Sequence, residues 1–203
     1  MKSGPLGSIS VQKAIVIIIC LLPLVNLARI FVFEQPADPY EVAAHITGET
    51  ALRLLIITLA ITPIRSLTGW KRLGIFRRNL GVLSFCYALC HVFFYMWLEA
   101  GFSPAYLIDD LAERRYISAG FAAFVMMTPL AVTSNNFSVR KLGALWRKLH
   151  RLMYPLCIAA CIHYLWLVRG EDAGPFVYLA IVLALLAARV IGRMRRQGSA
   201  ARA

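Results

Sequence analysis

The stretch LHRLMYPLCIAACIHYLW, from Leu149 to Trp166, carries a histidine near each end of a run that is otherwise as apolar as a membrane span. Its length is close to the roughly 20 helical residues that cross the hydrocarbon core of a bilayer. A neutral imidazole inside such a helix needs a polar partner, because hydrocarbon offers none. His150 and His163 therefore require a hydrogen bond, a role in proton transfer or a bound metal.

The composition extends this interpretation to the whole chain of 203 residues. It is 60% hydrophobic and 16% charged, and its mean hydropathy is +0.67, which is typical of an integral membrane protein. Because lipid leaves backbone polar groups unsatisfied, only helices and closed barrels span membranes, and the sequence lacks the alternating segments of a barrel. We predict an all-α integral membrane protein, a six-transmembrane-helix bundle forming one membrane domain over residues 1–203. The predicted spans are Ala14–Phe33, Ala44–Ile64, Asn79–Leu98, Tyr116–Ser134, Lys148–Val168 and Pro175–Gly192.

The charges predict the orientation of the bundle. Most of the 22 basic residues flank the spans on one side, whereas the ten acidic residues lie in or beside the opposite loops. Cytoplasmic loops of membrane proteins are enriched in Lys and Arg. Both termini are therefore expected in the cytoplasm, with residues 1–13 as the N-terminal segment and residues 193–203 as a basic tail. The net charge of +12 then indicates topology and contact with anionic lipids, and no nucleic-acid partner is expected.

Two further observations concern the depth of the histidines. The third and fifth predicted spans run in the same direction, and His91 and His163 lie equally far from their basic inner ends near Phe76 and Lys148. At about 1.5 Å per residue, equal counts mean equal depth, towards the outer leaflet. A b-type haem with two histidine ligands needs one imidazole on each face of its iron. This pair predicts His91 and His163 as axial ligands of haem b.

Small residues share the faces of these two histidines. They either let a flat porphyrin approach the helices or let the helices pack closely against each other, and the sequence leaves both alternatives open. The small residues are Gly81, Ser84, Ala88, Ala159 and Ala160, and Tyr87 lies beside Ala88 at the same level of the helix.

His150 lies near the predicted inner surface, roughly 20 Å below His163. On a straight helix the two would point about 140° apart, so they would share a face only if Pro155 bends or unwinds the segment. The matching position of the third span holds Arg77 and Arg78 instead of a histidine. Three roles stay open for His150: ligand of a second, inner haem, binding residue for a flavin or quinone, and interfacial residue among basic neighbours.

The outer end of the second span carries a further polar group. His45, Glu49 and Arg53 follow one another at intervals of four residues. Glu49 and Arg53 can form an ion pair along the helix that hides both charges. Alternatively, Arg53 binds a haem propionate or a quinone carbonyl.

Four blocks of the sequence resemble a known family. They are HITGETALRLLIITLAITPI, GVLSFCYALCHVFFYMWLEAG, RRYISAGFAAFVMMTPLAVTS and RKLGALWRKLHRLMYPLCIAACIHYLWLV. They are similar to the MsrQ family, which comprises the haem-binding membrane subunits of bacterial MsrPQ methionine sulfoxide reductase systems. This family belongs to the wider ferric reductase-like transmembrane group. The resemblance covers roughly residues 38–168.

The resemblance implies a function and a set of partners. Such subunits take electrons from the quinone pool or a cytoplasmic flavin reductase and deliver them across the bacterial inner membrane. The receiver is MsrP, a periplasmic molybdopterin enzyme that repairs oxidised methionine in envelope proteins. His91 and His163 match the family's haem-ligand positions, His150 matches a further histidine of its pattern, and His45 matches its H-x-T-G block. One haem b or two are implied, and FMN is associated with the family without a matching residue here.

The chain has no G-x-G-x-x-G turn of a nicotinamide-binding domain, so we expect a separate electron donor. We also expect substrate reduction on a partner, which makes the chain the electron-transfer subunit of an oxidoreductase complex. One rival is another haem-b ferric reductase-like or quinol-oxidising cytochrome with a different acceptor. The other is a non-enzymatic role, as a haem-linked membrane sensor or a transporter subunit. Transporters contain broken helices and ion sites at the midplane, and this sequence has few such signals.

The charge distribution generates a topological prediction. A reporter that works only in the cytoplasm should be active when fused after Ala203, since the basic loops are expected inside. A reporter that works only in the periplasm, fused at the same position, is the matched control and should be inactive. Activity of the periplasmic reporter would overturn the predicted orientation.

Overall fold

The computed structural model describes residues 9–168 and 173–200, which form helices joined by short connections. Residues 1–8 and 201–203, at the predicted cytoplasmic ends, lie outside the described residues. The α-helices, in chain order, are α1 (Ile9–Arg29), α2 (Pro39–Thr68), α3 (Arg77–Phe94), α4 (Pro104–Glu113), α5 (Arg115–Val132), α6 (Asn136–Leu142), α7 (Ala144–Leu149), α8 (Met153–Val168) and α9 (Gly174–Ala200).

Several helices continue into wider or tighter turns. A π-helical turn follows α1 over Ile30–Glu34, and another follows α3 over Tyr95–Glu99. A 3-10 turn over His150–Leu152 joins α7 to α8. The latter change of pitch lies directly before Pro155, so the segment that carries both His150 and His163 is not one regular helix.

Within the described residues, six helical segments are long and apolar enough to cross a membrane. They are Ile9–Glu34, Pro39–Thr68, Arg77–Glu99, Arg115–Val132, Ala144–Val168 and Gly174–Gly192. The predicted six-helix, all-α membrane fold is confirmed, although several helices extend beyond the predicted bounds. The orientation of the termini stays a prediction.

The start of α2 explains one of these extensions. Asp38 accepts a hydrogen bond from the Glu41 backbone N–H at 2.8 Å, and Pro39 occupies the first turn, where its missing N–H costs nothing. At the other end Gly69, at φ 72°, reverses the chain while its N–H donates to the Arg65 carbonyl. His45 consequently lies within the second turn of α2 and does not open the helix.

Helix α4 is an element that the six predicted spans did not include. Ser103 accepts from the Tyr106 N–H at 3.3 Å, and Pro104 begins the helix. Tyr95 donates to the Asp110 carboxylate at 2.8 Å, which ties α4 to the end of the third span. Arg114 forms ion pairs with Asp110 at 3.2 Å and with Glu99 at 3.5 Å. This network holds a short helix across the ends of α3 and α5.

Helix α2 lies at the centre of the bundle. In its most apolar stretch 50% of the residues are buried within the protein, against 11% to 22% in the other spans. It packs most extensively on α3 and also contacts α1, α8 and α9. The second extensive contact joins α5 to α8. The central bundle therefore contains two principal helix pairs, α2 with α3 and α5 with α8.

Two apolar clusters fill the spaces around these pairs. The larger joins α2, α5, α8 and α9 through residues such as Leu59, Leu156 and Val182, which are almost completely buried. The smaller joins α1, α2 and α3 and includes Tyr87. The larger cluster packs against both histidine-bearing helices and positions the site described next.

Candidate functional site

The rings of His91 and His163 face each other across the two helix pairs. His91 projects from α3 and His163 from α8, and their ring centroids are 6.1 Å apart. The ring planes are nearly perpendicular, at 82°. The equal depths counted along the sequence thus correspond to direct proximity in the fold.

Each ring is anchored by a backbone carbonyl on the partner helix of its own pair. His91 Nδ1 lies 3.0 Å from the Ala44 carbonyl of α2, and His163 Nδ1 lies 2.7 Å from the Tyr116 carbonyl of α5. A carbonyl can only accept, so Nδ1 carries the proton in both rings. The lone pair of each neutral imidazole is then on Nε2, the nitrogen that can bind a metal.

Thr47 supports the His91 anchor. Its hydroxyl is fully buried, donates to the Ala43 carbonyl at 2.6 Å, and lies 3.5 Å from His91 Nδ1. Because this hydroxyl is occupied within α2, the Ala44 carbonyl remains the principal partner of the ring.

The residues that the sequence placed on the histidine faces all make packing contacts, three of them with single helices and three with an apolar cluster, and the approach of a porphyrin stays a prediction. Ser84 donates to the Ala51 carbonyl of α2 at 2.7 Å, and the Tyr87 hydroxyl donates to the Cys20 carbonyl of α1. A methyl group added at Gly81 would meet Thr58 of α2. These three residues serve helix packing. Ala88, Ala159 and Ala160, by contrast, pack against the larger apolar cluster.

His150 lies apart from this pair, in the 3-10 turn before α8. Its ring stacks on Trp146 with centroids 3.8 Å apart, and Nδ1 lies 3.1 Å from the Trp146 carbonyl. Its Nε2 is buried without a hydrogen bond of good geometry, and the Leu130 carbonyl is a further polar group near the ring. The structure therefore does not bring His150 onto the centre formed by His91 and His163.

One arginine, Arg77, lies near His150, and a second, Arg189, lies near Arg77. Arg77 is close enough to interact electrostatically with both His150 and Arg189. Arg189 donates to the Leu59 carbonyl of α2 at 2.5 Å and lies over the Tyr154 ring. In the described part of the chain, Arg189 Nε and His150 Nε2 are the buried side-chain polar atoms without a hydrogen-bond partner. Arg77, His150 and Arg189, here called the inner cluster because they lie at the end predicted to be cytoplasmic, form a cationic group with unpaired nitrogens.

The N-terminal part of α2, predicted to lie on the outer side, holds a different polar group. Glu49 and Arg53 form the predicted ion pair at 2.5 Å. The Tyr178 hydroxyl of α9 accepts from Arg53 at 2.9 Å and donates to Glu49 at 2.9 Å. His45 is 3.7 Å from Glu49, and its side chain is 63% exposed. The ion pair is confirmed, but the Arg53 side chain is 57% exposed, so the pair does not hide both charges. The quinone or propionate role of Arg53 and His45 stays a prediction.

A hydrogen-bond network connects α4 to the His163 anchor. Hydrogen bonding to the Tyr116 side chain raises the pKa of Arg114 above its ordinary value. Arg114 also binds Asp110 of α4, and the Tyr116 backbone carbonyl holds His163. Tyr116, whose carbonyl holds the His163 imidazole, is thus itself linked through Arg114 to α4.

Sequence reasoning missed the carbonyl anchors, Tyr178 and the inner pair of arginines. A backbone carbonyl carries no sequence signal of its own. Arg189 and Arg77 were counted only as topological charges, although an ionisable residue within a span indicates function by default. A glycine four residues after each anchor, Gly48 and Gly120, is the signal that could have marked Ala44 and Tyr116.

Comparison with known proteins assigns this arrangement to a class of proteins. The profile of the ferric reductase like transmembrane component family matches residues 47–161. Proteins named protein-methionine-sulfoxide reductase heme-binding subunit MsrQ, from Brucella ovis and Brucella canis, are 45% identical over 150 residues, covering 74% of this chain and 68% of theirs. The protein of the same name from Brucella anthropi is 44% identical over 155 residues, covering 76% and 70%.

A helical membrane protein with six spans and two facing histidines at its centre is the class that the fold and the site define. The chain belongs to the ferric reductase-like transmembrane family and, within it, to the MsrQ subunits.

Proposed function

We propose that this chain is a haem b-binding electron-transfer subunit of a methionine sulfoxide reductase system, with His91 and His163 as the axial ligands. The observation that carries the proposal is the pair of neighbouring rings, each with Nδ1 bound to a backbone carbonyl, which leaves the imidazole lone pair on Nε2. The MsrQ relatives are named as haem-binding subunits, which supports the same cofactor here.

The spacing of the rings fits two ligands of one iron. Metal–nitrogen bonds of about 2 Å and about 1.1 Å from each nitrogen to its ring centre require roughly 6 Å between ring centres. The observed distance is 6.1 Å. We further propose that the small side chains of Ala88, Ala159 and Ala160, three or four residues before the histidines in the sequence, limit the bulk that a flat cofactor would meet.

Bound haem supplies reversible one-electron transfer, and the protein supplies ligation and orientation. His91 and His163 would hold the iron from two separate helix pairs. The Ala44 and Tyr116 carbonyls fix the tautomer and the direction of each ring, as outer partners of metal-bound histidines do.

The electron donor and acceptor follow from the sequence resemblance. We infer that electrons come from the quinone pool or a cytoplasmic flavin reductase and reach a periplasmic molybdopterin reductase, MsrP, which repairs oxidised envelope proteins. The chain would then lie in the bacterial inner membrane with both termini in the cytoplasm, as its basic loops predict. His45 and Arg53, at the outer end of α2, are the residues proposed to contact a quinone on that side.

The inner cluster supports a second redox group near His150. Arg77 and Arg189 supply positive charge within the spans, and two buried nitrogens there lack hydrogen-bond partners. Phosphate and carboxylate groups match guanidinium groups in both charge and geometry. A flavin such as FMN or a second haem b would supply such a group, and His150 would be its ligand or its binding residue.

The ligand assignment predicts the spectra of histidine variants. His91→Ala and His163→Ala should each abolish the six-coordinate, low-spin b-type spectrum assigned to this centre, because that state needs both imidazoles. His45→Ala is the matched control, since that side chain is exposed, and it should keep the spectrum. Visible spectra of the purified reduced and oxidised proteins measure the effect. Full retention of the low-spin spectrum in either ligand variant would refute the pairing.

The role of His150 can be separated from that of the ligand pair. An electron entering on the inner side must cross roughly 20 Å to reach the level of His163, which is long for one step without a relay. We expect His150→Ala to abolish transfer from a soluble flavin reductase while the His91–His163 haem stays bound. Reduced quinone in membranes serves as the second donor, because donation at the outer side would bypass His150. Wild-type rates with both donors would make His150 an interfacial residue only.

A further inference from the structure

The two histidine anchors share a local design that neither the spans nor the histidines predict. On α2 the acceptor is the Ala44 carbonyl, and a glycine follows four residues later at position 48. On α5 the acceptor is the Tyr116 carbonyl, and a glycine again follows four residues later at position 120. Both anchors are separated from their histidine by 47 residues. The number of residues between Ala44 and Tyr116 is therefore the same as that between the two glycines and that between the two histidines.

A glycine four residues after the acceptor has a geometric reason. Inside a helix the carbonyl of residue i already accepts from the N–H of residue i+4, and only its second lone pair is available to a side chain. The Cα–Cβ bond of residue i+4 tilts towards the N-terminus and covers that carbonyl. At Ala44 and Tyr116 the imidazole approaches the carbonyl along a path that this Cβ would obstruct.

The distances agree with this requirement. A Cβ at Gly120 would lie 2.6 Å from His163 Nδ1 and 2.9 Å from its Cε1, and a Cβ at Gly48 would lie 3.0 Å from both His91 Nδ1 and Cε1. Ordinary contacts between such atoms begin at about 3.5 Å. Among the described glycines, Gly74 in the 3-10 turn after α2 meets only the flexible end of Arg65, whose Nη1 would be 3.1 Å from a Cβ, and two glycines within long helices have more room. The nearest atom to a Cβ at Gly81 is Thr58 Cγ2 at 3.7 Å, and a Cβ at Gly192 meets nothing within 4 Å.

We propose that Gly48 and Gly120 are paired positioning residues, two notches that admit the rings of His91 and His163 to their backbone anchors and so fix the direction of each Nε2. The inference rests on the proposed function, since Nε2 is the atom assigned to iron. It adds that the two halves of the site are built alike, each from a notched helix and a histidine-bearing helix. The notches belong to α2 and α5, and the histidines to α3 and α8.

A methyl group in either notch has a defined consequence. To regain ordinary contact, the His163 ring must move roughly 1 Å away from residue 120, which breaks its bond to the Tyr116 carbonyl. Ligand positions must hold to about 0.5 Å for a well-formed site. The atoms that must move belong to a side chain and not to the backbone, so the helix pair itself can form. The iron should then keep one histidine and lose the other.

The experiment compares Gly120→Ala, Gly48→Ala and the matched control Gly81→Ala in the purified full-length holoprotein. We expect Gly120→Ala to lose at least half of the low-spin signal of this centre, to bind carbon monoxide at the vacated position, and to regain the low-spin spectrum when imidazole is added. Gly48→Ala should change in the same direction by a smaller amount, because its contacts are longer. Gly81→Ala should match the unsubstituted protein.

Several outcomes would overturn the notch proposal. Unchanged low-spin spectra without carbon monoxide binding in both notch variants would mean that the rings do not depend on the glycines. A Gly120→Ala protein that loses its haem and is not restored by imidazole would indicate a general folding role instead. If Gly81→Ala changed the spectrum as much as the notch variants do, the effect would not be specific to Gly48 and Gly120. If His91→Ala and His163→Ala keep their low-spin spectra, the ligand assignment itself fails, which separates the two hypotheses.

Discussion

The bonds from His91 and His163 Nδ1 to backbone carbonyls of neighbouring helices are the interactions on which the site depends. Within hydrocarbon an imidazole N–H has no water to bind, and leaving it unpaired costs on the order of several kcal/mol. Each histidine therefore needs an acceptor from the protein, and a carbonyl can provide one through its second lone pair. That bond determines at once which nitrogen is protonated, where the ring points and which helices must be neighbours.

The arrangement of the bundle follows from this constraint. Helix α2 must approach α3, and α5 must approach α8, closely enough for a ring to reach the opposite backbone, and these are the two most extensive helix contacts. Ser84, whose hydroxyl is buried against the Ala51 carbonyl, tightens the first pair. The site is then closed by bringing the two pairs together, so that each pair contributes one ring. Two further contacts join α9 to α2. The Tyr178 hydroxyl bonds to Glu49 and Arg53, and Arg189 donates to the Leu59 carbonyl.

Hydropathy and counting along the sequence predicted the six spans and the common level of His91 and His163. Depth follows directly from the rise per residue, so equal counts from charged ends were sufficient. The rotation of each helix about its axis was not predictable in the same way, because nearly every face of these spans is apolar. For that reason Ser84 and Tyr87 were both grouped with the histidine face. Ser84 does bind α2, as His91 does, whereas Tyr87 binds α1. Helix α4 and the 3-10 turn at His150 depend on tertiary contacts such as Tyr95 with Asp110, which no periodicity reveals.

The central claim is that one haem b is held between His91 and His163 by two imidazoles. The most direct test is resonance Raman spectroscopy of the purified, unsubstituted protein in both oxidation states, combined with its haem-to-protein ratio. Ligation by both histidines predicts at least one b-type haem per chain, six-coordinate and low-spin in the ferric and the ferrous protein. A protein whose haem is entirely five-coordinate and high-spin, or which retains well under one haem per chain when purified in folded form, would contradict it.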